Sequence, residues 1–183
     1  MASSNPQVNI ITLSELAPQF RNQIEEIFFL TSERKTFASE DERRSFFHRW
    51  TDYYLQQEPE NTFLAWDNDN QKIAAYLTGC LNSQKACTFM ARELPSYLVF
   101  EDHFKDFNAH LHINCHPEYQ NQGYGRKLLA TFLEHCKSHN VSGIHIITTE
   151  NSECIGFYQN HNFDYTELRK WKDWELLLMG CRL

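Results

Sequence analysis

Several features that would assign a chain to the secreted, disulfide-linked or membrane classes are missing from this sequence. Its six cysteines include no Cys-x-x-Cys pair, no apolar run approaches the length of a membrane span, and no signal-peptide pattern begins it. Scattered thiols in such a chain are typical of a reducing compartment. We therefore expect a cytoplasmic protein that has no membrane as its partner.

Positive charge is also scarce. The chain has 17 basic and 24 acidic residues, for a net charge of −7. This balance argues against nucleic acid or an anionic membrane as the main partner, and it favours a cationic or amine-bearing one. Hydrophobic residues make up 42% and charged residues 22% of the 183 residues, which is typical of one globular domain. We expect a single domain over residues 1–183.

One stretch, residues 109–139, changes its period along its length. His110, His112, Asn114 and His116 alternate with Leu111, Ile113 and Cys115, which predicts a strand. Pro117 ends that strand because it has no amide hydrogen to donate. From Arg126 onward the apolar residues follow a helical period: Leu128, Leu129, Phe132, Leu133 and Cys136. The order is therefore strand, glycine loop and helix, which brings free backbone amides and a positive dipole end to the loop and suits a phosphate.

The sequence of the loop indicates which kind of phosphate ligand it would bind. A dinucleotide fingerprint needs a third glycine where Leu128 stands, and a nucleotide triphosphatase loop needs Gly-Lys-Ser/Thr where Gly125 is followed by Arg-Lys-Leu. The segment Gln120-Asn-Gln-Gly-Tyr-Gly125 instead resembles the Gln/Arg-x-x-Gly-x-Gly/Ala signature of the GCN5-related N-acetyltransferase (GNAT) family. In that family the loop amides hold the pyrophosphate of acetyl coenzyme A (acetyl-CoA).

A second segment resembles the same family. Residues 151–163, Asn-Ser-Glu-Cys-Ile-Gly-Phe-Tyr-Gln-Asn-His-Asn-Phe, are similar to its Asn-x-x-Ala-x-x-Phe-Tyr-x-x-x-Gly-Phe segment, with Cys154 in place of alanine and Asn162 in place of glycine. Asn tolerates the left-handed backbone that a glycine would adopt there. The two matches cover about residues 109–165, and we expect the cofactor-binding core there. The implied fold is α/β: a mixed, mostly antiparallel, twisted sheet flanked by helices.

The resemblance implies roles for individual residues. It assigns acetyl-CoA as the acyl donor, with the pantetheine arm along the strand and the pyrophosphate at the loop. The cofactor-binding residues are then Ile113, Asn114, Cys115, Gln120, Asn121, Gln122, Gly123, Tyr124, Gly125, Arg126 and Asn151. Asn151 is expected to bond the pantetheine arm or to cap the helix that follows it. Lys127 adds positive charge beside the loop.

The same resemblance makes Tyr158 the general acid. A phenol, whose ordinary pKa is about 10, can protonate a departing thiolate without ionising beforehand. The alternative is that Tyr158 only packs in its helix. The acceptor must lose a proton, and the residues suggest two bases: His112, on the histidine-bearing face with His110, and Glu150, just after the next strand. A polar strand face near solvent is the alternative for the histidines. No carboxylate or cysteine has a matching spacing on that strand, so we expect no metal.

The function implied is direct acetyl transfer from acetyl-CoA to an amine, either a small molecule or a protein. Cys115 is not expected to carry the acyl group, because it alternates onto the apolar side, where the sequence offers no base. The alternative function is a non-catalytic module that keeps the fold and binds acyl-CoA or a protein partner. The amine is not identified by the sequence, and a homodimer stays open.

Elsewhere the pattern predicts a first strand at Val8–Leu13, a helix capped by Ser14 with Leu16 in its apolar stripe, and a second helix opened by the capping box Ser39–Glu42 and reaching about Gln57. Residues 63–66 and 73–80 predict a hairpin. Residues 81–109 have no clear period and are expected to be an insertion, with a short helix, over the substrate cleft. Two strands are expected near residues 164–168 and 174–181.

Overall fold

The computed structural model describes residues 8–13 and 20–183, so Ser14 and Leu16 lie outside the described residues. The strands are β1 (Val8–Thr12), β2 (Thr62–Asp67), β3 (Lys72–Cys80), β4 (Ala109–Cys115), β5 (Gly143–Thr149), β6 (Tyr165–Trp171) and β7 (Trp174–Arg182). The α-helices are α1 (Arg21–Thr31), α2 (Glu40–Asp52), α3 (Ser83–Glu93), α4 (Tyr124–Ser138) and α5 (Ile155–Gln159). A π-helical turn, Tyr53–Gln57, extends α2, and 3-10 turns form at Pro59–Asn61, Pro95–His103 and Pro117–Tyr119.

The strands form a mixed, mostly antiparallel sheet in the order β1-β2-β3-β4-β5-β7-β6, with helices against it. The β1–β2, β2–β3, β5–β7 and β6–β7 pairs are antiparallel, and the β4–β5 pair is parallel. This confirms the predicted α/β fold. No helix in the part of the chain that the structure describes is long and apolar enough to cross a membrane.

The chain divides into two compact units, which we describe separately. The first unit holds the described residues up to Gly79 together with His112–Phe132, and the second holds Cys80–Leu111 with Leu133–Leu183. Strand β4 and helix α4 each contribute residues to both units.

The core of the first unit lies between the paired helices α1 and α2 and the β2–β3 hairpin. Its buried members are Ile24, Ile27, Phe47, Leu64, Trp66, Ile73 and Tyr76. The predicted capping box forms at α2, because the Ser39 hydroxyl accepts from the Glu42 amide at 3.1 Å. Glu42 reaches back to the Ala38 amide at 2.6 Å, one residue earlier than the standard box.

The second unit contains the segment that the sequence left least defined. Residues 81–109 form α3, whose N-cap Asn82 accepts from the Lys85 amide, and the 3-10 segment Pro95–His103. Phe100 lies in this 3-10 segment, and Phe104 and Phe107 follow it. All three pack with Leu178 of β7. Arg169 of β6 binds Asp102 through two nitrogens at 2.6 and 2.8 Å and donates to the Val99 carbonyl at 2.6 Å. A bidentate ion pair therefore fixes the segment to β6, the edge strand of the sheet.

Candidate active site

The loop between β4 and α4 lies in the first unit and has an unusual backbone. After the 3-10 turn Pro117–Tyr119, Asn121 adopts a φ of 60° and Gly123 a φ of 84°. Both values belong to the left-handed region, which Asn tolerates and glycine adopts freely. The sequence Gln-Asn-Gln-Gly therefore supplies the two residue types best suited to these two positions.

Helix α4 begins at Tyr124, and its first intrahelical bond is from the Lys127 amide to the Gly123 carbonyl at 3.1 Å. The amides of Gly123, Tyr124, Gly125 and Arg126 consequently have no acceptor within the helix. A methyl group added at Gly123 would meet one atom within 4 Å, the Nη2 of Arg126 at 3.4 Å. The loop thus presents backbone amides, a positive helix end and a guanidinium, with room for a bulky anion to approach.

Side chains of the loop brace it from within. Gln120 donates to the Cys115 carbonyl at 3.3 Å, and Gln122 donates to the Glu118 carbonyl at 2.9 Å. Asn114, in β4, donates to the Thr31 hydroxyl at 2.6 Å, which ties the strand to the last residue of α1. The side chains of Gln120, Gln122 and Asn114 therefore have structural partners already, and these residues offer a ligand their backbone.

Cys115 and Ile113 are both half-buried in β4. Burial raises the pKa of the Cys115 thiol, and the nearby Gly125 amide offsets part of that rise. A thiol that stays protonated at neutral pH is a poor nucleophile, which favours direct transfer over an acyl-cysteine.

The histidines on this side of β4 have separate environments, and the alternative of a polar strand face near solvent does not hold for His110. His110 is buried in the second unit, where the Ser83 and Tyr97 hydroxyls lie 2.7 and 2.8 Å from its Nδ1. His116 uses its Nδ1 to accept from the Glu118 amide at 3.3 Å and caps the 3-10 turn. Both imidazoles therefore take part in structural hydrogen bonds.

His112 lies in the first unit against aromatic rings. Its ring meets Trp50 of α2 at 6.1 Å and Tyr54 of the π-helical turn at 5.7 Å, both edge to face. Desolvation lowers its pKa to about 4. His112 is therefore neutral at physiological pH and accepts hydrogen bonds, but it holds a proton only weakly.

Glu150 and Asn151 follow β5 in the second unit, and both are exposed. The pKa of Glu150 is raised by a hydrogen bond and by charge repulsion from Glu175 on β7. Asn151 donates to a Glu150 oxygen at 3.4 Å. The expectation that Asn151 caps the next helix is wrong, because α5 begins at Ile155 with Cys154 at its N-cap position and no side-chain cap bond.

Tyr158 is buried on α5, also in the second unit. Its ring contacts Phe157 at 5.1 Å and Phe163 at 5.0 Å. Its carbonyl accepts from the His161 and Phe163 amides at 2.9 and 3.2 Å, and between them Asn162 has a φ of 64°. The predicted replacement of a glycine by a left-handed Asn is confirmed, so the turn after α5 keeps its shape.

A model of the acetyltransferase (GNAT) family matches residues 22–163. The chain belongs to this family. It is an acyltransferase, it carries out acetyl transfer, and acetyl-CoA is its donor. No curated protein matches the chain.

Solved structures show the GNAT fold along almost the whole chain. The crystal structure of SsHAT has a TM-score of 0.71 at 20% identity, covering 97% of this chain and 98% of that one. The NatC complex bound to Gag peptide and CoA has a TM-score of 0.64 at 12% identity, covering 96% and 98%. The PaiA N-acetyltransferase of Thermoplasma acidophilum in complex with coenzyme A has a TM-score of 0.60 at 12% identity, covering 97% and 99%.

The structure of this GNAT chain, considered by itself, also fits acetyl-CoA as the donor. The α4 amides, the left-handed Gly123 and the Arg126 guanidinium suit a pyrophosphate, whereas no three His, Cys, Asp or Glu residues among those described come together as a metal would need. Sequence reasoning missed Thr31, Trp50 and Tyr54 as neighbours of β4. No sequence motif marks them as neighbours of this strand.

Proposed function

We propose that this chain is an N-acetyltransferase that transfers the acetyl group directly to an amine. The observation that carries the proposal is the left-handed loop at the start of α4, with the amides of the first helical turn and open space at Gly123. Acetyl-CoA, when bound, supplies a thioester whose carbonyl carbon is open to attack by an amine.

We propose that the backbone from Ile113 to Cys115 meets the pantetheine arm and that the amides from Gln120 to Arg126 meet the pyrophosphate. The half-buried setting of Ile113 and Cys115 supports the first role, since an extended arm packs well against a partly covered strand. The helix end supports the second. The exposed Asn151 is assigned to the arm by family resemblance.

We propose that His112 borders the acceptor. A neutral imidazole flanked by Trp50 and Tyr54 can accept a hydrogen bond from an amine, and the aromatic edges can pack beside it. With a pKa of about 4, however, His112 takes a proton poorly from a lysine ammonium, whose pKa is about 10.4. The acceptor best supported is therefore an amine that is largely neutral on arrival, such as an α-amine with a pKa of about 8. The NatC complex, which is similar in fold, is bound to a peptide, and this supports a peptide as the acceptor.

Glu150 is the second candidate base. Its raised pKa makes it a better proton acceptor than an ordinary carboxylate, and its exposure gives the proton a path to solvent. We propose that Tyr158 donates the proton to the departing sulfur. The buried ring of Tyr158 packs against Phe157 and Phe163, which supports this role because packing restricts the orientation of the phenol.

The test measures thiol release from acetyl-CoA across a panel of peptides with free N-termini, small amines and lysine-containing peptides with blocked N-termini. We expect peptides with free N-termini to release thiol fastest. Calorimetry of acetyl-CoA binding runs beside it. Binding without thiol release from any acceptor would favour the non-catalytic module, and absence of binding would contradict the loop assignment.

We also propose a cytoplasmic location and self-association into a homodimer. All six cysteines are free, as expected in a reducing compartment.

Exposed large apolar side chains concentrate on the terminal hairpin β6–β7: Tyr165, Leu168 and Trp174. Leu168→Lys should lower the sedimentation coefficient if β6 is the interface. Leu30→Lys is the control, since Leu30 is 44% exposed on α1 and Leu168 is 55% exposed on β6. Equal behaviour of both variants and the parent at all concentrations would contradict a β6 dimer.

A further inference from the structure

A fully buried carboxylate lies behind the cofactor loop in the first unit. Asp67, the last residue of β2, is 0% exposed. Its Oδ1 accepts from the amides of Asp69 and Asn70 at 2.9 and 3.1 Å, and its Oδ2 accepts from the Asn70 side chain at 2.8 Å. A fourth donor comes from far along the chain, because the Tyr119 hydroxyl reaches Oδ2 at 2.8 Å.

The bond between Tyr119 and Asp67 persists across the neutral range. Burial alone raises the pKa of Asp67, but the bonds from Asn70, Tyr119 and the Asp69 amide together bring it below its usual value. Burial and the Asp67 carboxylate raise the pKa of Tyr119 to about 12. The carboxylate is therefore ionised and the phenol protonated at physiological pH, which is the arrangement of a charge-assisted hydrogen bond.

Tyr119 stands immediately before the loop that carries the cofactor amides. Its ring is buried, its amide donates to the His116 carbonyl at 2.8 Å, and its ring meets that of Tyr124, the first residue of α4, at 6.1 Å. Both ends of the loop are thus in contact with a side chain anchored on Asp67. Movement of Tyr119 would displace Gln120 and the left-handed Asn121 directly.

The charge of Asp67 works against a nearby pyrophosphate, so its contribution to an anion site must come through geometry. We propose that Asp67 is a positioning residue for acetyl-CoA, holding the loop from Gln120 to Arg126 in its binding shape through the Tyr119 hydroxyl. This inference rests on the proposed function, because it assigns the loop to the pyrophosphate.

The experiment compares two tyrosine–carboxylate bonds in the same unit. Tyr119→Phe removes the bond to Asp67 and keeps the ring. Tyr53→Phe removes a similar bond, from Tyr53 to Glu58 at 2.6 Å, and Tyr53 is 7% exposed against 9% for Tyr119. Both variants should lose melting temperature. Only Tyr119→Phe should weaken coenzyme A binding, by about fivefold to tenfold in calorimetry, since hydrogen bonds to charged groups are among the stronger ones.

Kinetics separate positioning from a merely structural role. In Tyr119→Phe the KM for acetyl-CoA should rise, while kcat and the KM for the acceptor stay at the parent values. Asp67→Asn should weaken coenzyme A binding to a similar extent, and the double variant should be no weaker than either single one, because both changes remove the same link. If Asp67→Asn fails to fold, the comparison of Tyr119→Phe with Tyr53→Phe decides alone.

Two results would overturn the inference. Coenzyme A affinity within twofold of the parent in a folded Tyr119→Phe protein would show that the loop keeps its shape without Asp67. Equal loss of affinity in Tyr53→Phe and Tyr119→Phe would show a general effect of stability. A parent protein that binds no coenzyme A would instead contradict the proposed function itself.

Discussion

Gly123 offers the most direct test of the cofactor loop. Its φ of 84° lies where a side chain strains the backbone, although the space around it is open except for the Arg126 guanidinium at 3.4 Å. Replacement by valine therefore acts chiefly through backbone conformation rather than through a clash. The free loop relaxes away from the left-handed form, and binding must then restore it.

The size of the effect follows from that strain. The left-handed conformation costs an L-residue about 1–2 kcal/mol, and β-branched residues lie at the upper end. If binding restores the left-handed form, the Kd for acetyl-CoA rises by about 5–30-fold. A branched side chain that also obstructs the approach of the pyrophosphate adds to this value.

Calorimetry with acetyl-CoA measures the change, and Asn140→Val is the matched control. Asn140 has a φ of 57° in the turn after α4, outside the cofactor loop, so valine there adds strain of the same kind. We expect both variants to lose melting temperature and only Gly123→Val to lose affinity. If Gly123→Val binds acetyl-CoA within twofold of the parent, the loop does not hold the pyrophosphate.

Three further predictions concern the acid, the acceptor and the core. Tyr158→Phe should slow turnover by about 10²–10⁴-fold with little change in acetyl-CoA binding, and an unchanged rate would make Tyr158 a packing residue. His112→Ala should raise the KM for the amine while acetyl-CoA affinity stays near the parent value, and loss of acetyl-CoA affinity would place His112 at the donor. Gly79→Ala should cost about 1–3 kcal/mol of unfolding free energy in chemical denaturation, because its methyl group would lie 2.3 Å from the buried Phe132 ring. Gly156→Ala, which meets nothing within 4 Å, is the control and should be neutral or slightly stabilising.

Much of the fold could be predicted because local rules and the tertiary structure agree. The alternation from His110 to Cys115 predicted β4, the capping box predicted the start of α2, and the patterns at residues 63–66 and 73–80 predicted the β2–β3 hairpin. The structure of residues 81–109 could not be predicted, because it depends on contacts with residues that are distant in the sequence. The bidentate bond from Arg169 to Asp102 spans 67 residues, and no pattern within a short window contains it.

The candidate site divides in the same way. The loop from Gln120 to Gly125 has its chemistry in its own backbone, so a short motif was sufficient to find it. Asp67 is the last residue of β2, next to the predicted strand at residues 63–66, but its bond to Tyr119 joins residues 52 positions apart. Trp50 and Tyr54 fall within the second predicted helix, and nothing in the sequence indicates that they meet His112.

The two histidines at the start of β4 show what a period of two determines and what it does not. His110 and His112 have the same parity, so the alternation puts them on one face. Parity does not fix their neighbours. His110 is enclosed by Ser83 and Tyr97 in the second unit, whereas His112 meets Trp50 and Tyr54 in the first. A buried imidazole beside two hydroxyls serves as a hydrogen-bonding hub, and a desolvated one between aromatic edges stays neutral. Chemical roles on one strand face therefore depend on the elements packed against each residue, and for His112 those elements are α2 and its π-helical turn.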